Sequence, residues 1–472
     1  MPTAPITLIK GDKISSVESE YGDALPENMY AVIKEVLGTA GYLKCAPGLT
    51  SFATGKGIDR GACYNERFSL HFRISGNRLI AVSTLGGVTD LGVAPGTSQA
   101  TIKDLYSFNT QGIIADGKFF LYSPGGGLNE VIDADLGSPI DGVWVDGYYF
   151  MTDGEYIFHT DIDDETSIDP LKFATAEFMP DPSNGVAKTQ DNKVMVFGRY
   201  TIEYFMNAAT ANFAFSRIAT RGQKIGIVAT HAKCEGSDAF YITGSRKNES
   251  LGIHAITVGS AVKVSTREID KILEKYTEPE LVDMRMEYRS SKNVQLILIH
   301  LPEETLCFNE TVAKALGLNY AWSILRTDIT GTQIYRAING IFDARNAKWI
   351  YGDKRDETIG YLDDTVFTQY DEAQEWSLYS PFINLESFSI DEIKIKTVPG
   401  HTAFNDAKVA ISLTRNGVTY GTEAWLSYGD PTAYTTEFIE RRLGYIPSWV
   451  GFKFRGATKS RMAFSLFELT YE

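Results

Sequence analysis

From about residue 60 the chain alternates short apolar runs with turn-forming pairs. HFRISGNRLIAVS turns at Gly76-Asn77, GIIADGKFFLYS at Asp116-Gly117 and VWVDGYYFMT at Asp146-Gly147. TDGEYIFHT turns at Asp153-Gly154 and VAKTQDNKVMVFG at Asp191-Asn192. Asp-Gly and its relatives supply the positive φ angles of two-residue hairpin turns, so each stretch predicts a hairpin. Further hairpins are predicted between DAFYITG (238–244) and LGIHAITVG (251–259), between NVQLILIHLP (293–302) and ETLCFN (304–309), and between AKWIYGD (347–353) and TIGYLDD (358–364). Hairpins recurring at roughly 30 to 50 residues predict radially arranged blades, an irregular β-propeller. No residue recurs at a fixed position, so the prediction rests on rhythm and not on a sequence repeat.

The pattern changes in three places. STREIDKILEKYT (265–277) has Ser265 and Glu268 in capping-box spacing, followed by an apolar stripe of Ile269, Ile272 and Leu273. TEPELVDMRMEY (277–288) repeats the device with Thr277 and Pro279, so a short helical insertion is expected over about 265–288. Residues 1 to 30 are polar with three prolines and read as an extended arm. Beyond about 375 strict alternation sets in: Ile393 and Ile395 against Lys394 and Lys396, Val409, Ile411 and Leu413 on one face, Phe452 and Phe454 against Lys453 and Arg455. Strands with one wet and one buried face predict an antiparallel β-sandwich. The expected division is an arm over 1–40, a propeller-like domain over 41–374 and a sandwich over 375–472, a mainly β fold.

Composition agrees with many short strands and tight turns: 42 Gly, 25 Tyr and 26 Phe in 472 residues. The formal net charge of −15 argues against tight wrapping of nucleic acid, which needs clustered Lys and Arg. Such a chain repels DNA passing close by. Cys45, Cys63, Cys234 and Cys307 form no CxxC pair and read as reduced thiols. No secretory leader and no membrane span is expected.

Candidate chemistry is thin. DIDDETSID (161–169) starts like an EF-hand loop, with Asp161, Asp163 and Glu165. Thr166 then stands where Gly is needed, and Lys172 where Glu is needed. TGKG (54–57) has the wrong spacing back to Gly48 for a phosphate loop, and Gly57 replaces the magnesium-binding hydroxyl. Gly125-Gly126-Gly127 has no following helix. The histidines His71, His159, His231, His254, His300 and His401 are dispersed, without HExxH or HxH; His300 reads as packed on its strand and Cys307 as a small core residue. The two acidic turn residues Asp146 and Asp153 sit where hairpins want Asp. No catalytic, cofactor or metal residue is assigned, and no enzyme activity is expected.

Charge distribution gives the one candidate surface. Residues 441 to 472 hold Arg441, Arg442, Lys453, Arg455, Lys459 and Arg461 against Glu468 and Glu472, six against two, a net of +4 in an acidic chain. These six are candidates for an electrostatic contact with an acidic partner or DNA; the plainer reading is the wet face of strands.

Several segments resemble a known family. LPENMYAV (25–32), GYLKCAPGL (41–49), FGRYTIEYF (197–205), EIDKILEKYT (268–277), LILIHLPEETLCFN (296–309), YRAINGIFD (335–343) and GFKFRGATKS (451–460) are similar, in order, to the packaged-DNA stabilization proteins of short-tailed bacteriophages of enteric bacteria. The likeness is weakest over 60–190. It implies a structural tail hub, or head-completion protein: a homohexameric ring below the portal and its adaptor, extending the DNA channel, plugged by a tail needle and surrounded by tailspikes. It implies a place in the virion tail, after assembly in the host cytoplasm, with DNA passing and not bound by sequence. A carbohydrate-binding or carbohydrate-cleaving propeller is the alternative; it lacks the S-x-D-x-G-x-x-W boxes of sialidase-type propellers. A third reading is a scaffold propeller for cellular partners, but no Trp is followed by Asp as the WD repeat requires.

Overall fold

The computed structural model of the chain describes residues 2–162, 164–176, 178–327, 333–384, 387–397 and 407–472. Asp163 of the acidic loop and His401 lie outside the described residues.

The predicted hairpins form, and their turns show why. Asp116 and Gly117 have φ of 54° and 69°, Asp146 and Gly147 51° and 93°, and Asn192 59°. Asp116-Gly117 and Asp146-Gly147 reverse the chain in two residues, while Asn192 belongs to a longer loop between Lys188 and Val194. Gln111–Ala115 pairs antiparallel with Lys118–Ser123, Asp141–Val145 with Tyr148–Thr152, and Ser183–Lys188 with Val194–Gly198.

These hairpins grow into a circle of small sheets. The first blade holds Asp59–Asn65, Leu70–Ser75, Arg78–Val82 and Val88–Val93. In the second, Gln111–Ala115, Lys118–Ser123 and Gly127–Glu130 are joined on the inside by a bridge from Thr101 to Ile114. The next three begin at Asp141–Val145, Ser183–Lys188 and Lys233–Glu235, each with four strands. A sixth, of five strands, begins at Arg285–Ser291. The seventh takes Ala337–Asp343, Lys348–Asp353 and Thr358–Asp363, and is completed by Gly48–Thr54 from far upstream. That pairing, Thr358 to Thr54 through Asp363 to Gly48, closes the circle of blades.

The segment 225–228 threads between the fourth and fifth blades. Ile227 N–H donates to Gly198 O and Val228 N–H to Thr243 O. The approach is close: a Cβ on Gly244 would lie 1.7 Å from the Gly226 carbonyl oxygen, and one on Gly226 2.1 Å from that of Gly198.

The sandwich draws strands from both ends of the chain. One sheet runs Met29–Val36, Thr39–Cys45, Ala463–Tyr471, Phe388–Thr397, Phe438–Ile446, with Thr3–Thr7 also on Ala463–Tyr471. The first forty residues, read from sequence as an extended arm, thus carry strands, of which Thr3–Thr7 has its partner at the opposite terminus and Met29–Val36 pairs with Thr39–Cys45. The facing sheet holds Glu372–Tyr379, Trp449–Thr458, Lys408–Thr414 and Ala424–Ser427, and continues through Thr368–Gln369 into the seventh blade. Ile393, Ile395, Phe452, Phe454 and Phe467 fill the space between, with the Phe467 ring 5.4 Å from Phe452 and 5.6 Å from Phe454.

The helical insertion is shorter than the sequence predicts. The helix spans Arg267–Leu273 with Thr266, not Ser265, at its N-cap. Ser265 Oγ instead accepts from Ile253 N–H at 3.1 Å and donates to Asp270 at 2.6 Å. The Thr277–Glu280 pair does form, Glu280 Oε2 accepting from Thr277 N–H at 2.7 Å, but over a single 3-10 turn, Glu278–Leu281. Residues 285–288, expected to end the insertion, belong instead to the strand Arg285–Ser291. A further helix, Glu310–Leu316, starts at Asn309, whose side chain accepts from Val312 N–H at 3.1 Å.

Between sandwich and propeller sits a small hairpin, Gly11–Ser15 with Glu20–Ala24. Its base is held by the sandwich: Asp12 Oδ2 accepts from Phe382 N–H at 2.8 Å. Its other flank meets the helix, where Glu18 pairs with Lys271 and Glu20 with Arg267 and Lys271, while Glu268 accepts from Asp23 N–H at 3.2 Å.

Candidate functional site

Two regions deserve the name: the axis where the blades converge, and the sandwich surface carrying the six cations.

At the axis, polar side chains and backbone N–H groups from the inner ends of the blades pair from blade to blade. Asp59 accepts from Arg73 Nε at 2.7 Å and from Asn339 Nδ2 at 2.7 Å, linking the first and seventh blades. Asp141 of the third blade accepts from Thr101 Oγ1 of the second at 2.8 Å, from Val186 N–H of the fourth at 2.8 Å and from Lys233 Nζ of the fifth at 2.6 Å. Glu287 of the sixth accepts from the N–H groups of Asn339 and Gly340, the latter at 3.0 Å. Arg285 Nη1 lies 3.5 Å from His231 Nδ1. One group links blades one, six and seven and another links two to five, with the Arg285–His231 approach between them. Paired charges tolerate burial where single ones do not.

The buried histidines serve this core. His71 lies 3.1 Å from Arg73 Nη1 and 3.5 Å from Asp343, and burial lowers its pKa to about 4. His300 stands 3.3 Å from Glu287; burial, then Lys354, brings it to about 4. Burial works against the Glu287 carboxylate, but His300 beside it, then Arg285 and the Gly340 N–H, hold its pKa below the usual carboxylate range. His159 Nε2 accepts from Ala214 N–H at 3.0 Å. Sequence reading placed His300 as packed but had no means of finding Glu287 as its neighbour. All four cysteines are free and buried, with Cys307 opposite Leu298 in the sixth blade.

The six cations are dispersed. Arg441 and Arg442 lie on Phe438–Ile446, an edge strand of one sandwich sheet; Arg441 is 68% exposed and pairs with Glu392 at 2.9 Å, and Arg442 is exposed at φ 63°. Lys453 and Arg455 belong to the other sheet. Lys453 lies 5.6 Å from the Tyr379 ring centroid; Arg455 pairs with Glu423 at 2.7 Å and Glu375 at 3.4 Å. Lys459 and Arg461 follow that strand, and Arg461 donates to the Asp364 carbonyl at 3.1 Å. Arg441 and Arg442 share one strand; the six do not share one face.

The acidic loop satisfies itself. Asp161 accepts from Lys172, the residue that spoils the cation template, and Asp164 accepts from Thr166 N–H at 2.9 Å. No cluster of His, Cys, Asp and Glu with metal-holding geometry occurs among the described residues. No helix among them is long and apolar enough to cross a membrane.

Two family models match the chain, described as bacteriophage P22 Gp10 β-propeller over residues 4–367 and bacteriophage P22 Gp10 β-sandwich over 375–472. A relative, the tail hub protein gp10 of Salmonella phage P22, is 27% identical over 480 residues, covering 98% of each chain. Among solved structures, a streptogramin B lyase is 13% identical over 67% of this chain and 97% of its own, at a TM-score of 0.42. Virginiamycin B lyase from Staphylococcus aureus is 10% identical over 65% and 94%, at 0.43. Neither structural likeness carries an argument about chemistry.

Proposed function

Because the chain belongs to the bacteriophage P22 Gp10 family, its two family models together spanning propeller and sandwich, we propose that it is a tail hub: a structural protein of the virion tail. Six copies form a ring below the portal and its adaptor and extend the DNA channel. The tail needle seats at the lower end, tailspikes attach around the ring, and the closed assembly retains packaged DNA. Assembly onto filled capsids takes place in the host cytoplasm. The observation that carries this reading is the match to the P22 tail hub protein over 98% of both chains.

The architecture suits that task. A head-to-tail ring closes only if every copy presents the same rotation, so the subunit must be stiff. Here the sandwich sheet continues into the seventh blade, and the hairpin at 11–24 braces sandwich against helix, so the two bodies resist hinging. Paired side chains from neighbouring blades cross the propeller axis as a floor, so the DNA path lies between copies, around the ring axis. The net charge of −15 disfavours adhesion of phosphate to the walls. In functional terms the chain divides into an N-terminal arm over 1–40, the propeller over 41–374 and the sandwich over 375–472, with Thr39–Cys45 crossing the first boundary as a strand of the sandwich sheet that the arm locks. No step of this role needs catalysis.

Electron microscopy of the purified chain mixed with adaptor-bearing capsids tests the reading. Sixfold density beneath the adaptor is the expected result. Absence of that density, or stable genome retention in particles made without the chain, overturns it.

A further inference from the structure

A cationic cluster sits where the sandwich meets the sixth and seventh blades. Lys292 occupies the turn after Arg285–Ser291, and Asp364 follows Thr358–Asp363. Lys44 and Arg461 come from adjoining segments of the sandwich, where Cys45 N–H donates to Met462 O at 3.1 Å and Lys44 faces Ala463 on the ladder. Asp364 ties the group together: its carboxylate pairs with Lys292 Nζ at 2.6 Å, and its carbonyl accepts from Arg461 Nη1 at 3.1 Å. The Arg461 guanidinium also lies 5.5 Å from the Phe367 ring centroid, a contact that steadies it.

The cluster is not neutral. Lys44, Lys292 and Arg461 stand against the single carboxylate of Asp364, and among the described residues no second carboxylate lies within ion-pair distance of any of the three. Burial first, then Arg461 and Lys292, holds the Lys44 ammonium below its usual pKa, so these cations act on one another. Arg289, near Tyr30, the ladder partner of Lys44, is 4% exposed and has no carboxylate at ion-pair distance among the described residues. Such a surplus stands out in a chain of net charge −15. It is open to solvent: the Lys292 side chain is 72% exposed, and Lys44 and Arg461 are half-buried.

The counter-charge that fits is anionic, and its extent follows from the count. A grip on duplex DNA takes about 6–10 phosphate contacts. Three cations neutralise far fewer, and a duplex longer than the cluster meets repulsion from the acidic remainder of the chain. A short segment carrying a few carboxylates meets the cations alone, and its oxygens suit both the guanidinium fork and the ammonium groups.

We propose that Lys44, Lys292 and Arg461 form a docking point for a short acidic segment of a protein partner, whose Asp and Glu side chains supply the counter-charge the chain itself lacks there. The docking point does not depend on ring formation and is measurable on the isolated full chain.

Fluorescence anisotropy with a labelled peptide of about eight alternating Glu and Gly residues tests it, at about 25 and 150 mM salt. Saturable binding at the lower salt, weaker at the higher, is the expected result. Lys292→Gln and Lys44→Gln each weaken it about three- to fivefold, the scale of one partly exposed ion pair. Lys292 is the more exposed of the two, so its variant guards against misfolding of the other. Lys118→Gln combined with Lys247→Gln, at exposed lysines of the second and fifth blades, leaves binding at the parent level. No saturable binding at the lower salt overturns the proposal, as does an equal loss in the Lys118 and Lys247 variant. Tighter binding of a duplex oligonucleotide of about eight base pairs than of the peptide overturns the assignment of an acidic protein segment.

Discussion

Asn339 Nδ2 donates to Asp59 Oδ1 at 2.7 Å, a buried bond between residues 280 positions apart. It joins the first blade to the seventh at the axis, inside the strand pairing that closes the circle further out. Asp59 also neutralises Arg73, whose side chain is fully buried, so one carboxylate serves both the closure and a buried guanidinium.

Asp59→Ala therefore leaves Arg73 buried and unpaired. A loss of about 3–5 kcal/mol is expected, the scale found when one partner of a buried pair is removed. Urea unfolding followed by tryptophan fluorescence measures it; a loss below about 1 kcal/mol means that the carbonyls of Ile338 and Asn339 suffice for Arg73.

Acid should destabilise the chain before its carboxylates titrate. His71, facing Arg73, Asp343 and Arg345, and His300, facing Glu287, Lys354 and Arg285, have folded pKa values of about 4 against an ordinary 6.5. Between those values the unfolded chain binds protons that the folded chain refuses. Stability is complete above about pH 6.5 and falls as pH drops toward 4. Urea midpoints at pH 7.5, 6 and 5 should decline in that order, and a flat series contradicts the buried neutral state of both rings.

Gly244→Ala places a methyl group against the Gly226 carbonyl, and the backbone there is clamped between two blades. The contact cannot relax by a side-chain movement, so a loss of at least about 1–3 kcal/mol is expected. Thermal melting reads it. A variant within about 0.5 kcal/mol of the parent means that the blades separate more freely than the packing implies.

Charge reversal at Arg441 and Arg442 separates assembly from folding. Both are exposed, and the Arg441–Glu392 pair is a surface one, so stability should change by less than about 1 kcal/mol. Incorporation into tails should fall if this edge meets an acidic partner. Normal incorporation of the double variant, scored by particle yield, removes the edge from the list of contacts.

Thiol reactivity gives a readout of opening. Cys45, Cys234 and Cys307 are buried and pushed by that burial to about 12, 12 and 11. With Cys63 also buried, a native sample should react with no thiol reagent on the time of mixing, and labelling in urea should track unfolding. Rapid labelling in buffer marks local opening of whichever sheet holds the reactive residue.

Hairpins were legible because their information is local. Asp146-Gly147 specifies its reversal within two residues, and the flanking apolar runs specify the strands. The sandwich alternation of Phe452 and Phe454 was legible for the same reason. What escaped the sequence depends on partners far away. TAPIT at 3–7 gives no strand signal, having a proline and a burial pattern without a fully buried residue, and its ladder is made with Leu466–Thr470. Ser265 has the spacing of a helix cap, but a neighbouring strand claims its hydroxyl. The basic C-terminal stretch looked like one patch because charge was counted along the chain; Glu423 and Glu375, which meet Arg455, stand 32 and 80 residues away. The axial network was invisible since its members, such as Asp59, Asp141, Glu287 and Asn339, lie far apart along the chain.

The pairing of Thr3–Thr7 with Leu466–Thr470 gives manufacture a built-in inspection. Until Ala463–Tyr471 is in place, Thr3–Thr7 has no strand to pair with, and Leu43 lacks the Phe464 neighbour on its ladder. A product shortened by a few residues at its tail end would stay sticky and pliable. Without Ala463–Tyr471 the sheet loses the strand that Thr3–Thr7, Thr39–Cys45 and Phe388–Thr397 all pair with.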